Sequence, residues 1–278
     1  MPSSATKVAC GVQYKGTRYC GWQSQKDQKA IQDHIEEAIS SVANQNIRIH
    51  GSGRTDSGVH ADEQVFHFST DVTRDSDQWV KGINSGLPRD ILIQWSKEVP
   101  SEFDARRSAI YRRYDYCLKT KKPDVFLNTR ALYIDHPIDI ERMRDAANYL
   151  IGKHDFSSFR ASSCQSKNPI REMHSIDCIN EDNDCIRISF IGNAFLHHMI
   201  RNIMGTLIDI GTSRLEPQQM QEILEAKDRQ QASNGSLSCS KALLVTNGPR
   251  FMAPIGLARY TGFHWTLPKR NSSLTGHL

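Results

Sequence analysis

The sequence lacks several features that would mark a secreted, membrane-spanning or disulfide-stabilised protein. No apolar run among its 278 residues approaches the ~20 residues needed to cross a bilayer. Residues 1–7 contain no apolar segment of the signal-peptide type, so we expect a cytoplasmic protein. The seven cysteines form no C-x-x-C pair. An odd, scattered set of this kind indicates reduced thiols better than a disulfide framework or a zinc site.

Charged residues are plentiful, but they are distributed unevenly along the chain. Residues 1–105 hold 11 Lys and Arg against 14 Asp and Glu, whereas residues 106–278 hold 24 against 17. The densest basic stretch, 106–122, interleaves arginines with three tyrosines. Cationic side chains neutralise phosphates and aromatic rings stack on unpaired bases, so this stretch is a candidate RNA-binding surface. The alternative is a solvated strand face whose charges are paired within the protein.

The hydrophobic pattern predicts an α+β fold made of two halves of similar layout, residues 1–105 and 106–270, followed by a disordered tail at 271–278. Apolar residues alternate over 7–14, as in a strand, and recur at helical spacing over 28–43. Many neighbouring strands have no helix between them, which indicates an antiparallel sheet with helices on one face. The other predicted strands are 47–50, 64–68, 90–95, 109–119, 171–180 and 185–191, and the other predicted helices are 75–83, 139–151, 195–210 and 217–227.

A glycine-rich turn at 51–61, with the sequence GSGRTDSGVHA, presents one carboxylate, Asp56, between two predicted strands. Its glycines Gly51, Gly53 and Gly58 permit backbone angles that a Cβ would forbid. An acid on a tight loop between strands favours a functional site. The alternative is an exposed turn with Asp in a turn-favoured position.

A second string, NAFLHHMIRNIMG at 193–205, is predicted to be helical and to place His197, Arg201 and Gly205 on one face. On a helix the adjacent residues His197 and His198 would point about 100° apart, which disfavours a shared metal ion. Arg201 is better interpreted as a fixed cation that keeps a functional carboxylate ionised and oriented.

These strings together resemble the motifs of the TruA family of tRNA pseudouridine synthases. The turn is similar to the family's G-R-T-D-x-G-V-H-A motif, and the second string to F-x-x-x-M-[VI]-R-x-[IL]-x-G. Arg112 and Tyr114 occupy the matching positions of the family's R-x-Y-x-Y strand, and further similar strings continue in order from about residue 8 to 232. The resemblance implies that Asp56 is catalytic, that Arg201 is its partner and that Tyr114 stacks on the target base.

The resemblance also implies the rest of the site and the partners. Arg54 would assist as the base flips, and Arg112, His60 and Leu257 would contribute to substrate binding. Two ferredoxin-like halves would share a mainly antiparallel sheet, with the catalytic cleft between them. The family acts on uridines 38 to 40 of the tRNA anticodon arm as a homodimer, and the reaction implies no cofactor and no metal.

The chain departs from the family pattern after Ala232. Residues 233–252 intervene before Ala253–Leu257, either as a loop insertion or through a locally altered reading frame, and the sequence leaves both open. Two other functions compete with the synthase. The string TDSG resembles the D-[ST]-G turn of an aspartic protease, which would need a dimer to supply its second acid. A non-catalytic RNA-binding module would lack one of the motif residues, and all of them are present.

Overall fold

The computed structural model describes residues 5–26, 28–120, 130–181 and 185–232, together with the backbone of 243–245. These residues form a ten-stranded sheet and five α-helices. The strands are β1 Thr6–Tyr14, β2 His50–Gly51, β3 His60–Thr70, β4 Ile91–Val99, β5 Arg112–Lys119, β6 Ala131–Tyr133, β7 Gly152–Asp155, β8 Ile170–Glu181, β9 Cys185–Gly192 and β10 Leu243–Val245. The helices are α1 Ile31–Ala43, α2 Ser76–Gly86, α3 Ile140–Asn148, α4 Met199–Gly211 and α5 Gln219–Ala226.

The sheet has the strand order β4-β1-β3-β10-β5-β9-β8-β7, with β2 paired to β3 and β6 paired to β5. Its pairs are antiparallel except β10 with β3 and β5 with β6. The predicted α+β class with a mainly antiparallel sheet is therefore confirmed. The strands of residues 1–105 lie on one side of β10 and those of the second half lie on the other, while the exact division at residue 105 stays a prediction.

Apolar side chains from all five helices pack in one core against one face of the strands. Helix α1 shows how the sequence achieves this, because Ile31, Ile35 and Ile39 recur at four-residue spacing and are fully buried. Alternation along β1 sends Val8, Cys10, Val12 and Tyr14 into the same core. The opposite face of the first half holds a smaller cluster, which consists of Ala9, Val65, Val99, Phe103 and Ala105. Helices on one face were predicted, and the packing confirms them.

Three residues of the segment 233–252 lie in the middle of the sheet. Strand β10 pairs with β3 on one edge and with β5 on the other, so it connects the two halves. This part of the segment therefore belongs to the sheet and is not an external loop. Leu257 and the predicted tail at 271–278 lie outside the described residues.

The expectation of reduced thiols is wrong for two cysteines. Cys117 on β5 and Cys185 on β9 form a disulfide across a Cα–Cα distance of 6.1 Å. These strands are antiparallel neighbours, and the register places Cys117 opposite Arg187 and Lys119 opposite Cys185. The two thiols thus meet diagonally on one face of the sheet. Their sequence separation of 68 gave no sign of this pairing.

Some strand and helix ends differ from the predictions. The predicted strand at 47–50 contributes only His50 to the sheet, in the two-residue strand β2. Helix α2 begins at Ser76 because the Asp75 side chain accepts the N–H of Gln78 over 2.9 Å.

Within the described ranges, none of the helices has the length and apolar character that a bilayer crossing requires.

Candidate active site

The loop that carries Asp56 connects β2 to β3 and is hydrogen-bonded to the last residue of β1 and to the segment that follows it. The hydroxyl oxygens of Tyr14 and Thr55 lie 2.8 Å apart, and the backbone N–H of Trp22 donates to the Thr55 carbonyl over 3.0 Å. Thr55 is buried, whereas the next residue, Asp56, keeps 40% of its side chain exposed. The loop therefore holds the carboxylate at a defined place and leaves it open to a substrate.

The glycines of this region have different roles. Gly58 adopts a φ of 80°, which L-residues with a side chain rarely take. Gly51 is needed for space, because a Cβ there would lie 2.6 Å from the indole nitrogen of Trp22. Gly53 has neither constraint, so the expectation that all three loop glycines supply special backbone angles is wrong for Gly51 and Gly53. Gly21, with a φ of 102°, packs directly against the loop backbone.

The connection between β9 and α4 brings two imidazoles to Asp56. His197 Nε2 lies 3.5 Å from Asp56 Oδ1, and His198 Nε2 lies 3.5 Å from Oδ2. The predicted helix at 195–210 is wrong at its start, because α4 begins at Met199 and His198 has a left-handed φ of 60°. The ring centroids are 4.0 Å apart. Since neither residue is within the helix, the argument that their rings must diverge does not apply.

His197 is oriented by the loop that follows residue 159. Its carbonyl accepts the N–H of Ala161 over 2.8 Å. The Ser163 hydroxyl lies 3.3 Å from its ring nitrogen Nδ1. The other ring nitrogen, Nε2, is thereby directed towards Asp56.

His198 has an electrostatic environment that favours its neutral form. Burial is the main cause that lowers the pKa of His198 below its usual range, and the positive charges of His197 and Arg201 act in the same direction. The carboxylate of Asp56 opposes them. Arg201, in the first turn of α4, is therefore within electrostatic reach of His198. Direct pairing of Arg201 with Asp56 stays a prediction.

Tyr114 extends from β5 towards the same site. Its ring meets Phe195 edge-on, with centroids 5.2 Å apart. Burial is the main cause that raises the pKa of Tyr114, the negative charge of Asp56 raises it further, and Arg112 acts in the opposite direction. The phenol therefore stays protonated at neutral pH and lies near the carboxylate. Its role in stacking on a base stays a prediction.

Arg112 joins the two loops that form the site. Its Nε and Nη2 atoms lie 3.3 Å and 2.8 Å from the Ser52 carbonyl oxygen. Nη1 donates to the Asn193 carbonyl over 2.6 Å, and Nη2 donates to that of Arg106 over 2.9 Å. Ser52 lies in the loop of Asp56, and Asn193 begins the connection that carries the two histidines. The guanidinium is thus occupied by backbone carbonyls of this protein.

The neighbouring Arg113 is also engaged within the protein. Its Nε lies 2.8 Å from Asp115 Oδ1, and its Nη2 lies 3.3 Å from the Ser189 hydroxyl. For Arg112 and Arg113 the structure therefore favours internally satisfied groups over a free basic face. Arg106 and Arg107 are exposed and remain candidates for contact with RNA.

Comparison with known proteins decides the family. Residues 11–106 and 146–245 match the family model described as tRNA pseudouridine synthase. The chain belongs to this family. The tRNA pseudouridine synthase A of Burkholderia thailandensis is 43% identical over 226 residues, which cover 80% of this chain and 83% of that protein. The tRNA pseudouridine synthase A of Photobacterium profundum is 41% identical over 245 residues, covering 87% of this chain and 93% of that protein.

Among solved structures, a Cbf5–Nop10–Gar1 complex aligns at 12% identity over 72% of this chain and 54% of that chain. The TM-score of 0.29 is too low to support a conclusion. The family model and the two relatives together confirm the TruA resemblance, and the family model and the sheet confirm the pseudouridine synthase fold. The family model extends to residue 245, so β10 belongs to the matched region of the synthase family.

The structure places two of the three remaining residues that the synthase motifs indicated. Arg54 is exposed on the loop, two residues before Asp56. His60 begins β3 and is buried, with 3% of its surface exposed. Leu257 lies outside the described residues. The roles of all three in substrate binding or base flipping stay predictions.

Sequence reasoning missed the contact of the two histidines with Asp56 and the structural role of Arg112. A signal for the first was present, because two adjacent imidazoles, those of His197 and His198, directly precede the motif residues Met199 and Arg201. The helical periodicity of 195–210 led instead to the prediction that the two imidazoles point in different directions. Nothing in the sequence indicated the structural role of Arg112, because its acceptors are backbone carbonyls, which every residue carries.

Proposed function

We propose that this chain converts uridine to pseudouridine in tRNA, with Asp56 as the catalytic group. Membership of the synthase family supports the reaction. The observation that carries the residue assignment is the half-exposed carboxylate of Asp56, which is held on an anchored loop and faces two imidazoles from the connection between β9 and α4. A reactive carboxylate needs both a fixed position and access to the substrate.

The reaction balances without an added reactant. The bond from N1 to C1′ of the uridine breaks, the base turns, and a bond from C5 to C1′ forms. The proton lost from C5 is balanced by one gained at N1. The target base must leave its stack to reach the site. Asp56 would serve either as a nucleophile at C1′ or C6 or as a base that removes the 2′ proton.

The surrounding residues have complementary roles in this proposal. Tyr114, whose raised pKa keeps it protonated well beyond neutral pH, offers an aromatic face and a neutral hydroxyl beside the carboxylate. Arg201 supplies positive charge near His198. Arg54, exposed on the loop, is positioned to meet phosphate or to replace the partners of the flipped base.

The proposed substrate position is the anticodon arm, at uridines 38 to 40, and the proposed assembly is a cytoplasmic homodimer. The substrate position and the homodimer follow the TruA resemblance, and a tRNA substrate supports the cytoplasmic location. To modify several neighbouring uridines, the enzyme must recognise the shape of the RNA and not its base sequence. The exposed basic residues of the second half suit this kind of recognition. Light scattering of the pure chain tests the assembly, and a strict monomer would contradict it.

The decisive experiment is incubation of the full chain with unmodified tRNA, followed by mapping of pseudouridine. Wild type should modify the anticodon arm. Asp56→Asn, which removes the charge at nearly constant volume, should bind tRNA but form no product. Asp77→Asn, at an exposed position of α2, is the matched control and should behave as wild type. Product formation by Asp56→Asn near the wild-type rate would refute the assignment, and product in another arm would refute the substrate position.

A further inference from the structure

We infer that Asp56, His197 and His198 form a binding site for a transition-metal dication such as Zn²⁺, and that occupation of this site inhibits the enzyme. The metal is an inhibitor here and takes no part in the reaction. The geometry of the three side chains supports binding. The inhibition rests on the proposed function, because it requires Asp56 to be the catalytic group.

The three side chains offer ligand atoms at the separations that a small metal ion needs. Each imidazole Nε2 lies 3.5 Å from one oxygen of the carboxylate, and one ligand atom from each residue lies within 4.8 Å of the others. Donors bound at about 2.1 Å to a tetrahedral Zn²⁺ are roughly 3.4 Å apart. The two pairs at 3.5 Å already have this spacing, and the widest pair would have to close by no more than about 1.4 Å to bind the ion.

The ligand types select the class of metal. Two imidazoles and one carboxylate suit Zn²⁺, Co²⁺ and Ni²⁺, whereas Mg²⁺ and Ca²⁺ prefer sites made of oxygen atoms. Three protein ligands leave a fourth position open, as in zinc sites that are exposed to substrate or water. Asp56 is 40% exposed and His197 43% exposed, so an ion can reach the site from solvent.

Both histidines are held in place before any ion arrives. The Ser163 hydroxyl lies 3.3 Å from His197 Nδ1, which is the outer-shell contact that typically orients a metal-binding imidazole. His198 is fixed by its left-handed backbone and by its carbonyl, which accepts the N–H of Asn202 over 2.9 Å. The neighbouring Arg201 opposes a second cation, so we expect reversible binding of moderate affinity.

The test of binding uses the full chain and Co²⁺, whose visible absorption reports a site of low coordination number with nitrogen ligands. One Co²⁺ per chain should bind at this site, saturating below ~1 mM, and Zn²⁺ should displace it. His197→Gln and His198→Asn should each weaken binding at least ~10-fold. Asparagine tolerates the left-handed backbone of position 198, and circular dichroism verifies that each variant folds. His174→Gln, at an exposed position of β8, is the control.

The same proteins are then assayed for pseudouridine formation with increasing Zn²⁺. Wild type should lose activity over the concentration range in which Co²⁺ binds, and a chelator should restore it. Absence of a Co²⁺ spectrum, or equal binding by the two histidine variants and wild type, would overturn the site. Binding that depends on the histidines but leaves the activity unchanged would support the site and contradict the catalytic assignment of Asp56, so the two failures are distinguishable.

Discussion

Replacement of Arg112 by lysine separates the role that the structure gives this residue from the role that the sequence indicated. The motif resemblance predicts a substrate-binding cation, which lysine would largely preserve. The structure instead shows a planar guanidinium that reaches the carbonyls of Ser52, Asn193 and Arg106. A lysine ammonium is a single point donor and cannot reproduce this fork. Arg112→Lys should therefore impair the enzyme almost as strongly as Arg112→Gln.

The size of the effect follows from the burial of the three acceptors. Ser52 is buried, with 3% of its surface exposed, so losing its charged hydrogen bonds should cost about 1.5–3 kcal/mol. Asn193 and Arg106 are exposed, and water can replace the lost donor at their carbonyls, so each should cost only about 0.5–1 kcal/mol. The expected loss is therefore about 2.5–5 kcal/mol in the free energy of unfolding.

The assay combines urea unfolding with steady-state kinetics and tRNA binding. Because the two loops of the site would lose their shared anchor, kcat should fall by about 10²-fold or more. Affinity for tRNA and its salt dependence should change little. Arg107→Gln, at an exposed neighbouring position, is the control: it should leave the stability unchanged and flatten the salt dependence.

The opposite pattern would contradict the structural role of Arg112. If Arg112→Lys keeps the wild-type kcat and stability while Arg112→Gln loses only tRNA affinity, the residue acts on phosphate and the hydrogen bonds to the loops are incidental.

Two further predictions concern stability and the loop. Burial lowers the pKa of His67 to about 4, and its Nδ1 accepts the N–H of Ala105, so the folded state prefers the neutral ring. The free energy of unfolding should therefore fall by up to about 3 kcal/mol as the pH drops from 6.5 to 4, and His67→Gln should remove this slope in urea titrations; an equal slope in the variant would contradict it. Gly21→Ala would place a Cβ 2.4 Å from the Thr55 carbonyl at a φ of 102°, so kcat should fall sharply, whereas Gly53→Ala, with no atom closer than 3.8 Å, should be tolerated. Equal activity of both glycine variants would show that the anchor is dispensable.

Local patterns were sufficient to predict most of the fold. Alternation along β1 and four-residue spacing along α1 gave their positions to within a few residues, because each element buries one face in the same core. The loop of Asp56 was recognisable because its string of residues is specific. These features depend on residues that are close together in the sequence.

The features that sequence reasoning missed depend on backbone conformation or on distant partners. Periodicity extended the helix over His198, and only the left-handed turn at that residue brings both imidazoles to Asp56. The pairing of Cys117 with Cys185 depends on the register of β5 and β9. Neither the left-handed turn at His198 nor the register of β5 and β9 can be predicted from composition or residue spacing.

The position of β10 has a consequence for the order in which the protein can assemble. Residues 243–245 are synthesised after all the other described strands, yet they pair with both β3 and β5. Until they leave the ribosome, these two strands have open edges, and an open edge is a site for wrong pairing. A nascent chain therefore keeps its two halves in separate hydrogen-bonded ladders until residues 243–245 have been made, and only then can the sheet that connects the halves be completed.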